Sequence, residues 1–284
     1  MSTHRTTSRT PGVGRSIPLS AQSICVHQRH KWEIGNFINC TPAIQTLSRY
    51  FRAAIPVVFD TDVVADMFLD CPFIHRVGRT KGRRIVLTSQ FNQRNVLDHT
   101  AEEEWRTMHR YVSKYLGIAE PHPIPHTYVD VVTSCGIACP RPYVVLAYGC
   151  LGTYWLEAKD PGVDTYVAVC EHIAPHYDII MIGSDIDKKR LHSIQSLVQP
   201  TPRIVLNDIR ASLALLNGCE FFVGNDTGMA HVAGALHKPS FLLWKDTPLL
   251  INKSPSTATF YSHKGNWLSD FPTWVTTFIN KDKD

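Results

Sequence analysis

No run of apolar residues in this 284-residue chain approaches the roughly 20 that a membrane-spanning helix needs, so the sequence predicts a soluble protein. Charge is sparse too. Lys, Arg, Asp and Glu make up 19% of the residues, and a formal net charge of +4 is too mild to make nucleic acid the leading partner. Acidic residues are missing from the N-terminus altogether, Glu33 being the first. Residues 1–20, rich in Ser, Thr, Arg and Pro, cannot bury enough surface to fold and are expected to form a disordered basic arm. Their composition also suits a transit peptide, but without the strong amphipathic stripe of one. The cysteines at 25, 40, 71, 135, 139, 150, 170 and 219 lack zinc-ribbon spacing, Cys135 and Cys139 forming only a C-x3-C pair. They are expected to be reduced thiols of a cytoplasmic protein, with no metal site. A G-x-G-x-x-G fingerprint is also absent, which argues against a nicotinamide-dependent epimerase.

What is present is an alternation of short apolar runs with helix-length amphipathic segments, the pattern of βα units with parallel sheets. Strands are expected at 24–28, 56–60, 84–89, 143–148, 178–182, 203–206, 220–224 and 240–244. One helix is expected to start at Thr41 as cap and Pro42 as first helical residue, with Ile44, Leu47 and Phe51 on one face. Another runs from Thr100 to Leu116, with Trp105, Met108, Val112 and Leu116 at helical spacing and Gly117 ending it. Between 118 and 142 five prolines break the rhythm, marking a crossing between two halves. The expected division is an α/β domain at 21–125, a linker at 126–142, a second α/β domain at 143–265, and a closing helix and tail at 266–284.

The most informative segment is Phe221-Phe222-Val223-Gly224-Asn225-Asp226-Thr227-Gly228-Met229-Ala230-His231, a buried strand, a tight polar turn and an apolar-faced helix. Such a turn sets free backbone N–H groups at the positive end of a helix, where phosphate is favoured, so a nucleoside diphosphate is the expected ligand. Asp226 is expected to cap the helix, and Thr227 and His231, four apart, to project over its first turn. Gly228 permits close approach of the backbone to a phosphate. After the strand at 143–148, a loop with Gly149, Gly152 and Thr153 leads to Lys159, a cation suited to a diphosphate. After the strand at 178–182, Asp185 or Asp187 is placed either to bind ribose hydroxyls or to cap the next helix.

In the first half, the loop after the first strand, His27-Gln28-Arg29-His30-Lys31-Trp32-Glu33, is polar, basic and aromatic. A reaction that deprotonates a hydroxyl needs a carboxylate or imidazole in contact with it, which makes Glu33, His27 and His30 the candidates. Arg79, Lys81, Arg83 and Arg84 form either a solvated turn or a face for an acidic acceptor or membrane surface.

Two segments carry a resemblance. Gly35-Asn36-Phe37-Ile38-Asn39-Cys40-Thr41-Pro42-Ala43 is similar to the N-terminal motif of the ADP-heptose:lipopolysaccharide heptosyltransferases, glycosyltransferase family nine, in which Gly-Asp precedes a Thr-Pro-Ala helix start. Val223-Gly224-Asn225-Asp226-Thr227-Gly228-Met229-Ala230-His231 resembles the family's donor-binding motif. The resemblance, over roughly residues 22–250, implies a GT-B fold: two Rossmann-like domains with mostly parallel sheets facing a central cleft. It implies an inverting, metal-independent glycosyltransferase with a nucleotide diphosphate sugar as co-substrate and no other cofactor. Partners would be the donor and a glycan or other hydroxyl acceptor, with no nucleic acid, peripheral membrane contact at most, and a monomeric state. Asp226, Thr227, Gly228 and His231 would hold the donor diphosphate, Lys159 would match the donor-contacting lysine, and Asp185 the ribose-binding acid. The presumed family base is replaced by Asn36, an amide that cannot take a proton at neutral pH. Then either Glu33 or a nearby histidine such as His30 supplies the base, or Asn36 orients the acceptor while another group acts, or the chain binds a nucleotide sugar without turning it over.

Overall fold

Two wholly parallel sheets organise the computed structural model, which describes residues 24–28, 34–78, 83–85, 104–120, 123–139, 141–149, 156–246 and 258–279. The first has strand order β3-β2-β1-β4, with β1 at Ile24–Gln28, β2 at Ile55–Phe59, β3 at Ile74–Arg76 and β4 at Arg83–Ile85. The second has order β10-β9-β8-β5-β6-β7, from β5 at Tyr143–Ala147, β6 at Asp178–Gly183, β7 at Arg203–Leu206, β8 at Phe222–Asn225, β9 at Ser240–Trp244 and β10 at Thr259–His263. Counted from β5, that is the doubly wound order 3-2-1-4-5-6, which reverses direction between β5 and β8 and opens a crevice at their carboxyl ends.

Parallel neighbours require crossovers, and the helices supply them. They are α1 (Ile34–Phe51), α2 (Asp62–Ala65), α3 (Glu104–Leu116), α4 (Leu156–Lys159), α5 (Val163–Ile173), α6 (Lys188–Leu197), α7 (Ile209–Gly218), α8 (Gly228–Ala235) and α9 (Trp267–Ile279). Side chains on the second sheet alternate with period two. Val145, Ala147, Ile180, Ile182, Phe222, Leu242 and Trp244 belong to a core that continues through Val232 and Ala233 of α8 and Ile38 and Ile44 of α1 into the first sheet. Val144, Leu146, Met181, Val223, Phe241 and Leu243 point the other way, onto Tyr166, Leu191 and Phe271 of α5, α6 and α9.

Several expectations are corrected. The helix expected to begin at Thr41–Pro42 begins at Ile34, and Pro42 lies inside it. Proline lacks the N–H that the Ile38 carbonyl would otherwise receive, and the Thr41 hydroxyl serves that carbonyl instead, at 2.7 Å. The strands β3 and β10 escaped the sequence reading because they are edge strands with little apolar content: Ile74 is the buried residue of β3, and Ser262 of β10. Arg83 and Arg84 fall in β4 rather than in a turn, while the basic arm at 1–20, Arg79 and Lys81 lie outside the described residues. The closing helix packs on the second half, its Trp267 indole donating to the carbonyls of Trp244 (3.2 Å) and Ser262 (2.8 Å). No disulfide forms among the described residues.

The proline-rich stretch after Gly117, whose φ of +67° ends α3 as expected, crosses to the second half without regular structure among its described residues. It is stitched to its neighbours. The Tyr128 amide donates to Thr41 Oγ1 at 2.8 Å, Gln45 Nε2 donates to the His126 carbonyl at 2.7 Å, and the Asp130 amide donates to the Met67 carbonyl at 3.0 Å. Asp130, 1% exposed, also accepts from the Asp70 amide at 2.8 Å and from Arg210 of α7 at 3.1 Å. Arg210 reaches Asp70 as well, at 3.2 Å, so one guanidinium ties both halves to the crossing segment. Burial raises the Asp130 pKa against the opposing pull of that guanidinium.

Candidate functional site

The crevice between β5 and β8 is built from short-range preferences. Strand β8, buried along its length, ends at Asn225, and the chain turns through Asp226 and Thr227 before α8 starts at Gly228. The Asn225 amide, fully buried, donates to the carbonyls of Gly149 (3.1 Å) and Lys159 (2.8 Å), while its oxygen accepts from the Gly149 N–H (3.3 Å) and the Tyr166 hydroxyl (3.3 Å). Asn225 has no separate role in the motif as read from sequence. It is the clasp that holds the loop after β5 and the end of α4 against the tip of β8, and its position between Gly224 and Asp226 at a strand end was the available signal.

That clasp places Lys159 beside Asp226, with Nζ 2.8 Å from Oδ2 and side chains only 18% and 5% exposed. Asp226 therefore does not cap α8, as expected from sequence. Thr227 occupies the cap position without a side-chain capping bond, and the Asp226 carboxylate is spent on Lys159. Against the other side of the turn stands Gly149, where an added β-carbon would come within 2.9 Å of Thr227 Cγ2.

The first turns of α1 and α8 meet at this corner. A β-carbon on Gly228 would lie 2.8 Å from Ile34 Cβ, and one on Gly35 would overlap the His231 ring. The two sequence motifs, one from each half, are thus in direct contact, and the positive ends of two helices converge there. His231 is 8% exposed, and burial drives its pKa down to about 4, with Asp226 opposing and Lys159 adding to the shift. It is neutral at pH 7. Its Nδ1 and the Thr227 hydroxyl are both buried without a hydrogen-bond partner among the described residues. Two orphaned polar atoms beside converging helix ends, with a half-buried lysine, are the chemistry of an anion cradle.

The remaining sequence candidates divide. Asp185 is exposed, its backbone N–H taken by Asn207 Oδ1 at 3.1 Å, and its carboxylate has no hydrogen-bond or ion-pair partner among the described residues. Asp187 is committed locally, Oδ2 accepting from the Ser184 amide (2.9 Å) and hydroxyl (2.7 Å). Asn36 sits half-buried in the first turn of α1 next to Gly35, its carbonyl accepting from Cys40 Sγ at 3.1 Å. His27, near the end of β1, lies 3.0 Å from Asp60, just past β2. Glu33 and His30, and the loop residues Gly152 and Thr153, lie outside the described residues. Among the described residues no group of three or more His, Cys, Asp or Glu is placed to hold a metal, and no helix is long and apolar enough to cross a membrane.

Comparison with known proteins agrees with this geometry. The model of glycosyltransferase family 9 (heptosyltransferase) matches residues 71–257, a span that includes the β5–β8 corner but not α1. Escherichia coli ADP-heptose lipopolysaccharide heptosyltransferase II superposes with a TM-score of 0.67 at 14% identity, over 92% of this chain and 100% of that one. A family 9 glycosyl transferase from Veillonella parvula gives 0.69 at 14% identity, over 92% of this chain and 90% of that one. E. coli heptosyltransferase WaaC with ADP gives 0.68 at 13% identity, over 91% and 99%. No curated protein matches the sequence. The fold is the GT-B arrangement of those heptosyltransferases, and the chain belongs to glycosyltransferase family 9.

Proposed function

We propose that the chain moves a sugar from a nucleoside diphosphate donor to a hydroxyl acceptor, with inversion at the anomeric carbon and without a catalytic metal. One observation carries the reading: the orphaned Thr227 hydroxyl and His231 Nδ1 lie beside the Lys159–Asp226 pair where the first turns of α1 and α8 meet. In this reading the diphosphate takes the α8 amides and the Thr227 hydroxyl, and the ammonium of Lys159 balances the charge that grows as the glycosidic C–O bond breaks. Neutral His231 offers its ring without adding a competing cation. Asp185, its carboxylate unspent, accepts from the ribose hydroxyls. The acceptor enters from the first half, between 21 and 125, and the donor rests on the second, between 143 and 265. The acceptor is a glycan or another hydroxyl compound. The protein acts as a cytoplasmic monomer with no cofactor beyond the donor, and any membrane contact is peripheral.

Because WaaC is described with ADP, ADP and ADP-heptose are the probes of choice. Titration calorimetry is expected to show ADP binding that weakens at least tenfold in Lys159→Ala. Wild-type protein that binds neither ADP nor any other nucleoside diphosphate overturns the reading. A second reading, a nucleotide-sugar binder without turnover, is favoured by Asn36, where the family motif carries an acid. It predicts ADP binding with no release of ADP from ADP-heptose.

A further inference from the structure

Asn36 leaves the proposed reaction without a proton acceptor at the position where the family motif supplies one. An inverting transfer still needs one. The acceptor hydroxyl must lose its proton as its oxygen bonds to the anomeric carbon, and an amide side chain has no basic lone pair for it at neutral pH. The described residues around the start of α1 offer another group on the same edge of the sheet.

His27 is the penultimate residue of β1, a strand with neighbours on both sides, and Asp60 follows β2 directly. In the parallel register His27 pairs with Val58, so both side chains emerge at the carboxyl ends of adjacent strands, the edge on which open α/β sheets hold their ligands. His27 Nε2 and Asp60 Oδ1 are 3.0 Å apart. A carboxylate accepts only, so Nε2 carries the hydrogen and donates it, which fixes the tautomer and leaves the lone pair on Nδ1. That nitrogen is buried and has no hydrogen-bond partner among the described residues, although the side chain as a whole remains 20% exposed. A histidine serving only to cross-link two strands leaves such a buried acceptor unsatisfied, which is destabilising. The cost is relieved if a hydroxyl of the substrate occupies the place.

We infer that His27, oriented by Asp60, is the general base of the transfer and takes over the role that Asn36 cannot fill. The inference rests on the glycosyl-transfer reading above. The acceptor O–H gives its proton to Nδ1 while its oxygen forms the bond to the anomeric carbon. The bond from that carbon to the diphosphate oxygen breaks, the electron pair leaving with the nucleoside diphosphate, and the imidazolium later returns the proton to solvent. Asp60 stabilises the imidazolium without taking the proton itself. In sequence, five residues separate the end of β1 from α1, whose Gly35 touches His231, so the strand that carries His27 leads into the helix that meets the donor corner. His231, the other imidazole with an orphaned nitrogen, is the poorer proton acceptor: it is buried beside Lys159 and holds a proton only near pH 4.

The test uses the full chain, ADP-heptose as donor and water as the simplest acceptor, with release of ADP as the readout. His27→Gln preserves an N–H for Asp60 but no basic lone pair. It is expected to lower kcat by about 10²–10⁴-fold, the ordinary worth of a general base, with ADP affinity and melting temperature unchanged. In His27→Ala, added imidazole is expected to restore part of the lost kcat, which a purely structural histidine does not allow. Turnover in His27→Gln within threefold of wild type overturns the inference and leaves the parent reading standing. A wild-type protein that binds ADP yet releases none from ADP-heptose also overturns the inference, and it favours the binder without turnover over the transferase. Wild-type protein that binds neither ADP nor any other nucleoside diphosphate overturns the parent reading, and the inference with it.

Discussion

Gly35 of α1 abuts the imidazole of His231 of α8 so tightly that position 35 has no room for a β-carbon. The contact joins the two halves at the candidate site. Gly35→Ala must push either the ring or the helix start aside, and overpacking of this kind costs about 1–3 kcal/mol. The variant is expected to lose that much stability in urea titrations and to bind ADP more weakly. Unchanged values in both measurements show that the two helix starts are not held together as described.

His231 gives the protein an acid-sensitive corner. Its folded pKa, about 4, lies below the ordinary 6.5, so the unfolded chain takes up a proton between these limits that the folded chain refuses. Stability from this residue is complete above pH 6.5 and drains away as pH falls through the window, by about 3 kcal/mol in all. The difference in unfolding free energy between wild type and His231→Gln is expected to change by that amount between pH 7 and pH 4. A pH-independent difference contradicts the buried, neutral imidazole.

Lys159 and Asp226 depend on each other. Lys159→Met leaves a nearly buried carboxylate without a counter-charge, a situation that costs about 3–5 kcal/mol when fully desolvated. Because the lysine is 18% exposed, the expected loss is nearer 2 kcal/mol. Adding Asp226→Asn to Lys159→Met is expected to recover most of the stability in thermal melts but none of the ADP affinity.

Arg210 anchors both halves to the crossing segment through Asp130 and Asp70. In Arg210→Ala the buried Asp130 carboxylate loses its cation and its already raised pKa climbs further. A carboxyl whose folded pKa exceeds its unfolded one favours the fold at low pH and loses that contribution as pH rises through the folded value. The variant is expected to be less stable than wild type by roughly 2 kcal/mol at pH 7.5 and by clearly less at pH 4.5, measured by urea unfolding.

Thr41 stands in for a missing backbone donor. Thr41→Val deprives both the Ile38 carbonyl and the Tyr128 amide of a partner, at about 3 kcal/mol for the pair, whereas Thr41→Ser keeps both bonds. Equal melting temperatures for the two variants contradict this account.

Much of the fold was legible in the chain because it rests on local rules. The strands 24–28, 203–206 and 240–244 are found where their apolar runs place them, and Gly117 ends α3 in the left-handed conformation only glycine adopts easily. Where the sequence misled, a distant partner outweighed a local preference. Thr41-Pro42 has every mark of a helix start, yet α1 runs through it because the threonine hydroxyl repairs the missing bond and the crossing segment donates to the same oxygen. Asp226 has the mark of a cap, but Lys159, more than 60 residues earlier, claims it. The meeting of Gly35 with His231 had no signal at all, since it depends on how one half is set against the other.

The apolar cluster that runs from Ile55 and Val57 through α1 and α8 to Phe222 and Trp244 has a consequence for how damage spreads. Neither sheet owns a wall of its own on that side, so loosening one strips lining from its neighbour. A cavity carved beneath the first sheet is expected to loosen α1 and α8, whose first turns meet at the candidate site.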